Sequence, residues 1–255
     1  MYTSLYSTLK KYLGFFLVLF LWQLASNLEL WSTYVLPPPK QVWGTFLTML
    51  NSGDLLDSLF ISFRRVAIGF TSAFILAFLL GLFTALFPKA LPFYNKLLNI
   101  FRHIPPLSLV PLLILWFGIG ETPKILVIIL ASFFPMLLNI NAGLAECDKK
   151  LIEVGKVLNF TRTQILYRIM LPSAIPHILV GMRIGLGYSL RAIIGAEMIA
   201  ASSGLGYLIL DAQTMSRTDK AIVGIIVIGL LGLVIDYIFN IFIKRFLPYY
   251  KEVGA

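Results

Sequence analysis

Four ionisable residues stand inside otherwise apolar stretches of this 255-residue chain, and they raise the first chemical questions. Arg183, Arg191 and Glu197 share one apolar run, and Asp236 interrupts the last one. A charge at the centre of a bilayer costs about 2.5–3.5 kcal/mol on insertion scales, so such groups face protein, a watery cavity or one another. Arg183, near one end of its run, is placed to snorkel towards the headgroups. Arg191 lies deeper and needs a partner such as Glu197, or a cavity that holds an anion. Glu197 sits near the opposite end, where local donors satisfy it. Asp236, at mid-run, is either paired or lines a path. All four are candidates for a translocation pathway.

Enzyme chemistry has no comparable foothold. His103 and His177 are far apart, each near a proline, and neither has a carboxylate or cysteine close by in sequence. His103 reads as an interfacial hydrogen-bonding residue. The single cysteine, Cys147, excludes an intramolecular disulfide and a metal cluster, and reads as a small apolar residue. Without a glycine-rich phosphate loop, the chain cannot hydrolyse ATP by the usual cradle. We therefore expect a non-catalytic chain that carries no metal or cofactor of its own. The net charge of +9 raises the question of nucleic acid, but orientation in a membrane accounts for it better.

The elements that must hold these residues follow from composition. The chain is 58% hydrophobic and 13% charged, with a mean hydropathy of +0.87. A soluble domain carries about twice that charge. Several apolar runs reach the roughly 20 residues that a helix needs to cross a bilayer, and they lack the alternation of barrel strands. The expectation is an all-α polytopic membrane protein of one domain, 1–255, with about six spans. They are Tyr12–Leu28, Val66–Phe87, a proline-bearing run after His103 with Pro105, Pro106 and Pro111, Ile125–Ala145, 174–199 and Ala221–Ile243. Residues 41–62 read as an amphipathic surface segment broken at Asn51–Asp54, and Ser202–Lys220 as a polar loop. Gly69, Ala73, Ala77, Gly81 and Ala85 form a smooth stripe that lets another helix approach closely. With the N-terminus inside, 13 of the 21 Lys and Arg residues fall in cytoplasmic segments and six in outer ones. That bias places both termini, and residues 146–172, in the cytoplasm.

Residues 146–172, ECDKKLIEVGKVLNFTRTQILYRIMLP, form a charged island between two apolar runs. Cys147, Leu151, Val154 and Leu158 fall on one face of a first short helix. Asn159 follows where that helix stops, and Asn tolerates the left-handed cap conformation. Thr161-Arg-Thr-Gln164 reads as a capping box for a second short helix, with Phe160 and Ile165 placed as its hydrophobic staple. Pro172 is expected to close that helix. Two capped helices with a specified corner fit a protein partner better than a lipid surface.

This island resembles the cytoplasmic "EAA" loop of permease subunits of ATP-binding-cassette importers: Glu-Ala-Ala, three residues, Gly, nine residues, Ile-x-Leu-Pro. Glu153, Asn159, Ile169, Leu171 and Pro172 fall at that spacing, with Val154 and Gly155 in place of the two alanines and Asn159 in place of glycine. Further stretches resemble the nitrate/sulfonate/taurine-type branch. They are Arg102-His-Ile-Pro-Pro106, Pro111 to Glu121, Gly181-Met-Arg183, Ala196-Glu-Met198 and Gly204-Leu-Gly206, which cover most of residues 60–212. The resemblance implies a multi-pass permease of the bacterial inner membrane, with its core at 60–245 and its coupling loop at 146–172. It implies a second permease copy forming a homodimer, two ATPase subunits that bind ATP and Mg, and an extracytoplasmic solute-binding protein. It also implies that Glu153, Gly155, Asn159, Ile169, Leu171 and Pro172 couple to the ATPase. The implied cargo is a small anion such as a sulfonate, nitrate or bicarbonate. A secondary carrier with ions at Arg191, Glu197 or Asp236 is the alternative.

Overall fold

The computed structural model describes residues 2–88, 96 and 98–246, and the regular structure among them is all helical. Helix α1 is Tyr2–Asn27, α2 Pro39–Ser52 and α3 Asp54–Leu86. A 3₁₀ turn, Pro106–Leu109, leads into α4, Val110–Phe117, and α5 is Glu121–Ala145. Then come α6 Lys149–Val157, α7 Arg162–Ile165, α8 Leu171–Ala200, α9 Leu205–Thr214 and α10 Thr218–Phe246. Among the described residues, four helices are long and apolar enough to cross a membrane: Asp54–Leu86, Glu121–Ala145, Arg162–Ala200 and Thr218–Ile241. Phe16–Asn27 and Pro106–Phe117 are shorter apolar helices. Lys89 and Lys251, two of the basic residues behind the orientation bias, lie outside the described residues.

The small-residue stripe does what its spacing predicts. Gly69, Ala73, Ala77 and Gly81 are buried, and α3 packs on α5 along them. A Cβ at Gly69 would lie 2.6 Å from Ile128 Cγ2, and one at Gly81 2.5 Å from Ile140 Cγ2. The opposite side of α5 receives α8 in the same way, with Gly181 against Asn139. Ala73, Ala77, Met136, Leu137, Ile140 and Ala174 form the buried centre of these three helices. Close backbones gain dispersion that lipid would not supply, because lipid tails are as apolar as the side chains.

Four boundaries differ from the sequence reading. The break at 51–54 is present, with Gly53 left-handed at φ 85°, but residues 54–62 continue straight into the α3 span instead of lying on the surface. Arg64 and Arg65 are therefore helical residues of that span, not loop charges. The 202–220 loop contains α9, whose Leu205, Gly206, Ile209 and Ala212 are buried. The proline-bearing run does not form one span. Its backbone leaves helix at Arg102–Pro105 and resumes as the 3₁₀ turn, since each proline removes a donor and biases the residue before it away from helix.

The fourth difference is at Pro172. Instead of closing the second island helix, it sits in the first turn of α8. Residues Leu166–Met170 widen into a π turn that joins α7 to α8. The wider turn relieves the clash between the Pro172 ring and the carbonyl four residues earlier. One helix of 39 residues, Arg162–Ala200, results.

Candidate functional site

At one end of the bundle, five helices and turns meet around Arg65. Its guanidinium donates to Glu121 through Nε and Nη2, both at 2.7 Å, to Glu197 Oε1 at 2.7 Å and to the Ser203 carbonyl at 2.8 Å. Arg65 is 2% exposed and Glu197 not exposed at all. The Glu197 carboxylate also accepts from Ser62 Oγ and from the Gly206 N–H at 2.9 Å. Lys124 Nζ reaches Glu121 at 3.1 Å. Gly204, at φ 109°, makes this possible, because a Cβ there would stand 2.4 Å from a Glu197 oxygen. Glu197 thus accepts local donors, as its position near a helix end suggested. Its partner, however, is Arg65 and not Arg191. Sequence reasoning missed Arg65 by counting it as a loop charge.

Arg183 and Asp236 form the second pair. Arg183 Nε donates to Asp236 Oδ1 at 2.7 Å and Nη2 to Oδ2 at 2.9 Å, a fork-on-fork arrangement. Of the two sequence alternatives for Asp236, pairing is the one observed, and Arg183 is a paired residue instead of a free snorkelling one. Arg191 stacks over the Tyr188 ring at 5.8 Å and makes no ion pair among the described residues. Arg183, Arg191 and Asp236 line one cavity of about 290 Å³ between α8 and α10, floored by Gly187, Gly229 and Gly232. Three of the four pathway candidates are therefore brought together, and Glu197 is not among them.

At the other end, the corner of the island is built as its local chemistry dictates. Asn159 takes φ 55°, the Phe160 N–H bonds to the Gly155 carbonyl at 2.9 Å, and the Asn159 N–H to Lys156 at 3.0 Å. This pair of bonds is a Schellman cap. Thr161 and Gln164 complete the capping box, the Thr161 N–H donating to Gln164 Oε1 at 2.8 Å and the Gln164 N–H to Thr161 Oγ1 at 3.3 Å. Buried Gly155 is the floor: a Cβ there would meet Ile169 Cδ1 at 2.7 Å, Ile165 at 3.3 Å and Phe160 at 3.6 Å. Glu153 and Asn159 are exposed, and Leu171 and Pro172 belong to α8. The face carrying Leu151, Val154 and Leu158 points away from the bundle, with 50–60% of each exposed, while Cys147 alone of that set is buried. His177 has a carboxylate neighbour after all: Nε2 lies 3.0 Å from Glu146 Oε2, because α5 and α8 converge where Gly143 meets His177.

The arrangement is that of a membrane bundle with a capped corner, and its sequence relatives agree. A family model described as "Binding-protein-dependent transport system inner membrane component" matches residues 77–248, more than half the chain. The chain belongs to this family. It is 35% identical over 232 residues to a putative aliphatic sulfonates transport permease protein of Bacillus subtilis, covering 91% of this chain and 84% of that one. It is 33% identical to the taurine transport system permease protein of Escherichia coli, covering 92% and 88%. A nitrate import permease protein of Synechocystis is 30% identical over 79% of this chain and 76% of its own length. Among solved structures, an amino acid ABC transporter has a TM-score of 0.63 at 18% identity, covering 79% of this chain and 96% of that one. An inward-facing methionine ABC transporter has a TM-score of 0.60 at 19% identity, covering 78% and 97%. These two likenesses concern the fold.

As a transport component of the inner membrane, the chain is multi-pass, and its buried charges sort by role. Arg65 and Glu197 hold helices together. Arg183 and Asp236 join α8 to α10 beside an open space. Arg217, just before the last span, forks onto Asp219, which raises the guanidinium pKa above its ordinary value, while Thr45 donates to the same carboxylate at 2.7 Å.

Proposed function

We propose that the chain is the permease subunit of an ATP-binding-cassette importer and works as a homodimer. Two ATPase subunits bind ATP and Mg below it, and an extracytoplasmic solute-binding protein delivers cargo from above. The observation that carries this reading is the doubly capped corner at Asn159. It is exposed, apolar on its outer face, and continuous with the helix Arg162–Ala200. An ATPase seated on Leu151, Val154 and Leu158 would move Glu153, Gly155, Asn159, Ile169, Leu171 and Pro172 as one body. A floppy loop would absorb that motion. Rigid-body switching between inward- and outward-facing states follows from such a connection.

In this reading the single domain spans 1–255, both termini are cytoplasmic, and the chain itself catalyses nothing. The relatives named for sulfonates, taurine and nitrate support a small anion as cargo, with bicarbonate of the same class. A carrier working without an ATPase is disfavoured, because Glu197 and Asp236, its candidate ion ligands, are both occupied by arginines. The test is co-purification with an ATPase and vanadate-sensitive uptake in proteoliposomes containing the binding protein. Uptake that persists without the ATPase, driven by an ion gradient, overturns the reading. Within it, Asn159→Gly should retain transport. Asn159→Val, whose branched Cβ resists positive φ at a cost of about 1–2 kcal/mol, should uncouple ATP hydrolysis from uptake while the spans stay folded. Normal transport by Asn159→Val removes the corner from the mechanism.

A further inference from the structure

A second cavity, of about 560 Å³, opens half-way along α5 and α8, and Arg191 is the one pathway candidate that lines it. Among the described residues its polar groups are Arg102, His103, Tyr188 and Arg191, with no carboxylate. The rest of its wall is apolar, with Phe134, Leu138 and Ile184 prominent. Arg191 borders both this cavity and the smaller one beside Asp236. Among the described residues neither Arg102 nor Arg191 makes an ion pair, and Arg191 lies over the ring of Tyr188.

The backbone gives an independent reason to regard this space as built. Arg102–Pro105 is non-helical although it faces the middle of two spanning helices. Irregular backbone at that depth is tolerated where it lines a cavity, and broken helices mark substrate sites in other transporters. Small residues hold the broken segment in place. Leu107 packs onto Gly195, where a Cβ would stand 2.8 Å away, and Val110 and Leu113 pack against Ala131, Ala192 and Ala196.

We propose that this cavity is an anion site inside the permease, selective for small organic oxyanions. Arg102 and Arg191 supply forked donors to the oxyanion head, the His103 and Tyr188 side chains supply further donors, and the apolar wall takes a short carbon body. This deepens the importer reading and rests on it, since it gives the permease a cargo preference of its own in addition to that of the binding protein.

The test is calorimetric titration of the purified permease–ATPase complex, in nanodiscs of zwitterionic lipid, with ethanesulfonate, nitrate and tetramethylammonium. Saturable binding of ethanesulfonate, tighter than nitrate and absent for the cation, is expected. Arg191→Gln and Arg102→Gln should each weaken ethanesulfonate binding about tenfold or more, the size of one charge-assisted hydrogen bond. Arg191→Lys, which keeps the charge but loses the fork, should bind better than Arg191→Gln and worse than wild type, and guards against loss through misfolding. Binding unchanged in both glutamine variants overturns the site, as does a wild type that does not bind ethanesulfonate. Abolition of binding by anionic lipid would assign the cavity to headgroups and overturn it too. The importer reading is judged separately by vanadate-sensitive uptake of the wild type, so the site can fail while that reading stands.

Discussion

Two arginines in apolar helices, Arg65 and Arg191, show opposite solutions to the same physical problem. Arg65 is buried and every direction of its guanidinium is used: two carboxylates, a carbonyl and a hydroxyl surround it. Arg191 has an aromatic ring on one side and open cavity on the others. The first arrangement trades charge freedom for a fixed junction of α3, α5, α8 and the Ser203–Gly206 turn. The second leaves a cation unneutralised within the bundle, where an anion can complete it. Difference in wiring, and not in residue type or hydropathy, separates the two arginines.

The largest expected effect attacks the wired junction. Glu197→Ala removes one of the two carboxylates of a buried guanidinium and the acceptor of Ser62 and the Gly206 N–H, and should cost about 3–5 kcal/mol. That loss should appear as a collapsed melting temperature or failure to purify in detergent. A Glu197→Ala protein that melts like wild type would erase the contrast. Gly204→Ala comes next: its Cβ meets the Glu197 carboxylate at a positive φ, and a loss of about 1–3 kcal/mol is expected in the same melting assay. Asp236→Asn breaks a pair whose aspartate is 45% exposed, so about 1 kcal/mol or less should go. Smallest of all, Arg191→Gln should change stability by no more than about 0.5 kcal/mol while anion uptake falls. A large stability loss there would make Arg191 a second Arg65.

The sequence disclosed what is local. The cap at Asn159 and the box at Thr161–Gln164 depend on neighbours within five residues, and both formed as read. The stripe from Gly69 to Gly81 needed only a period and a lipid solvent. The Arg65–Glu197 pair joins residues 132 positions apart, and no spacing rule reaches that far. Glu146 and His177 were hidden for the same reason. The run after His103 reads as a span because it is apolar, but its three prolines leave only the short helix Pro106–Phe117. Pro172 misled in the opposite direction. Proline usually ends a helix, but here a π turn absorbed it and continuity with α8 won.

That continuity has a mechanical consequence. At 1.5 Å per residue, the 39 residues of Arg162–Ala200 make a beam of roughly 58 Å. The capping box lies at its first turn and Glu197 in its last. If such a beam tilts by about 5° around its middle, each tip swings about 2.5 Å, in opposite senses. A displacement at Thr161 is thereby delivered to the Arg65 junction with its sign reversed, like the two arms of a balance. Arg183, near the pivot, would scarcely translate, while Arg191, about 15 Å along the beam, would move about half as far as the tip.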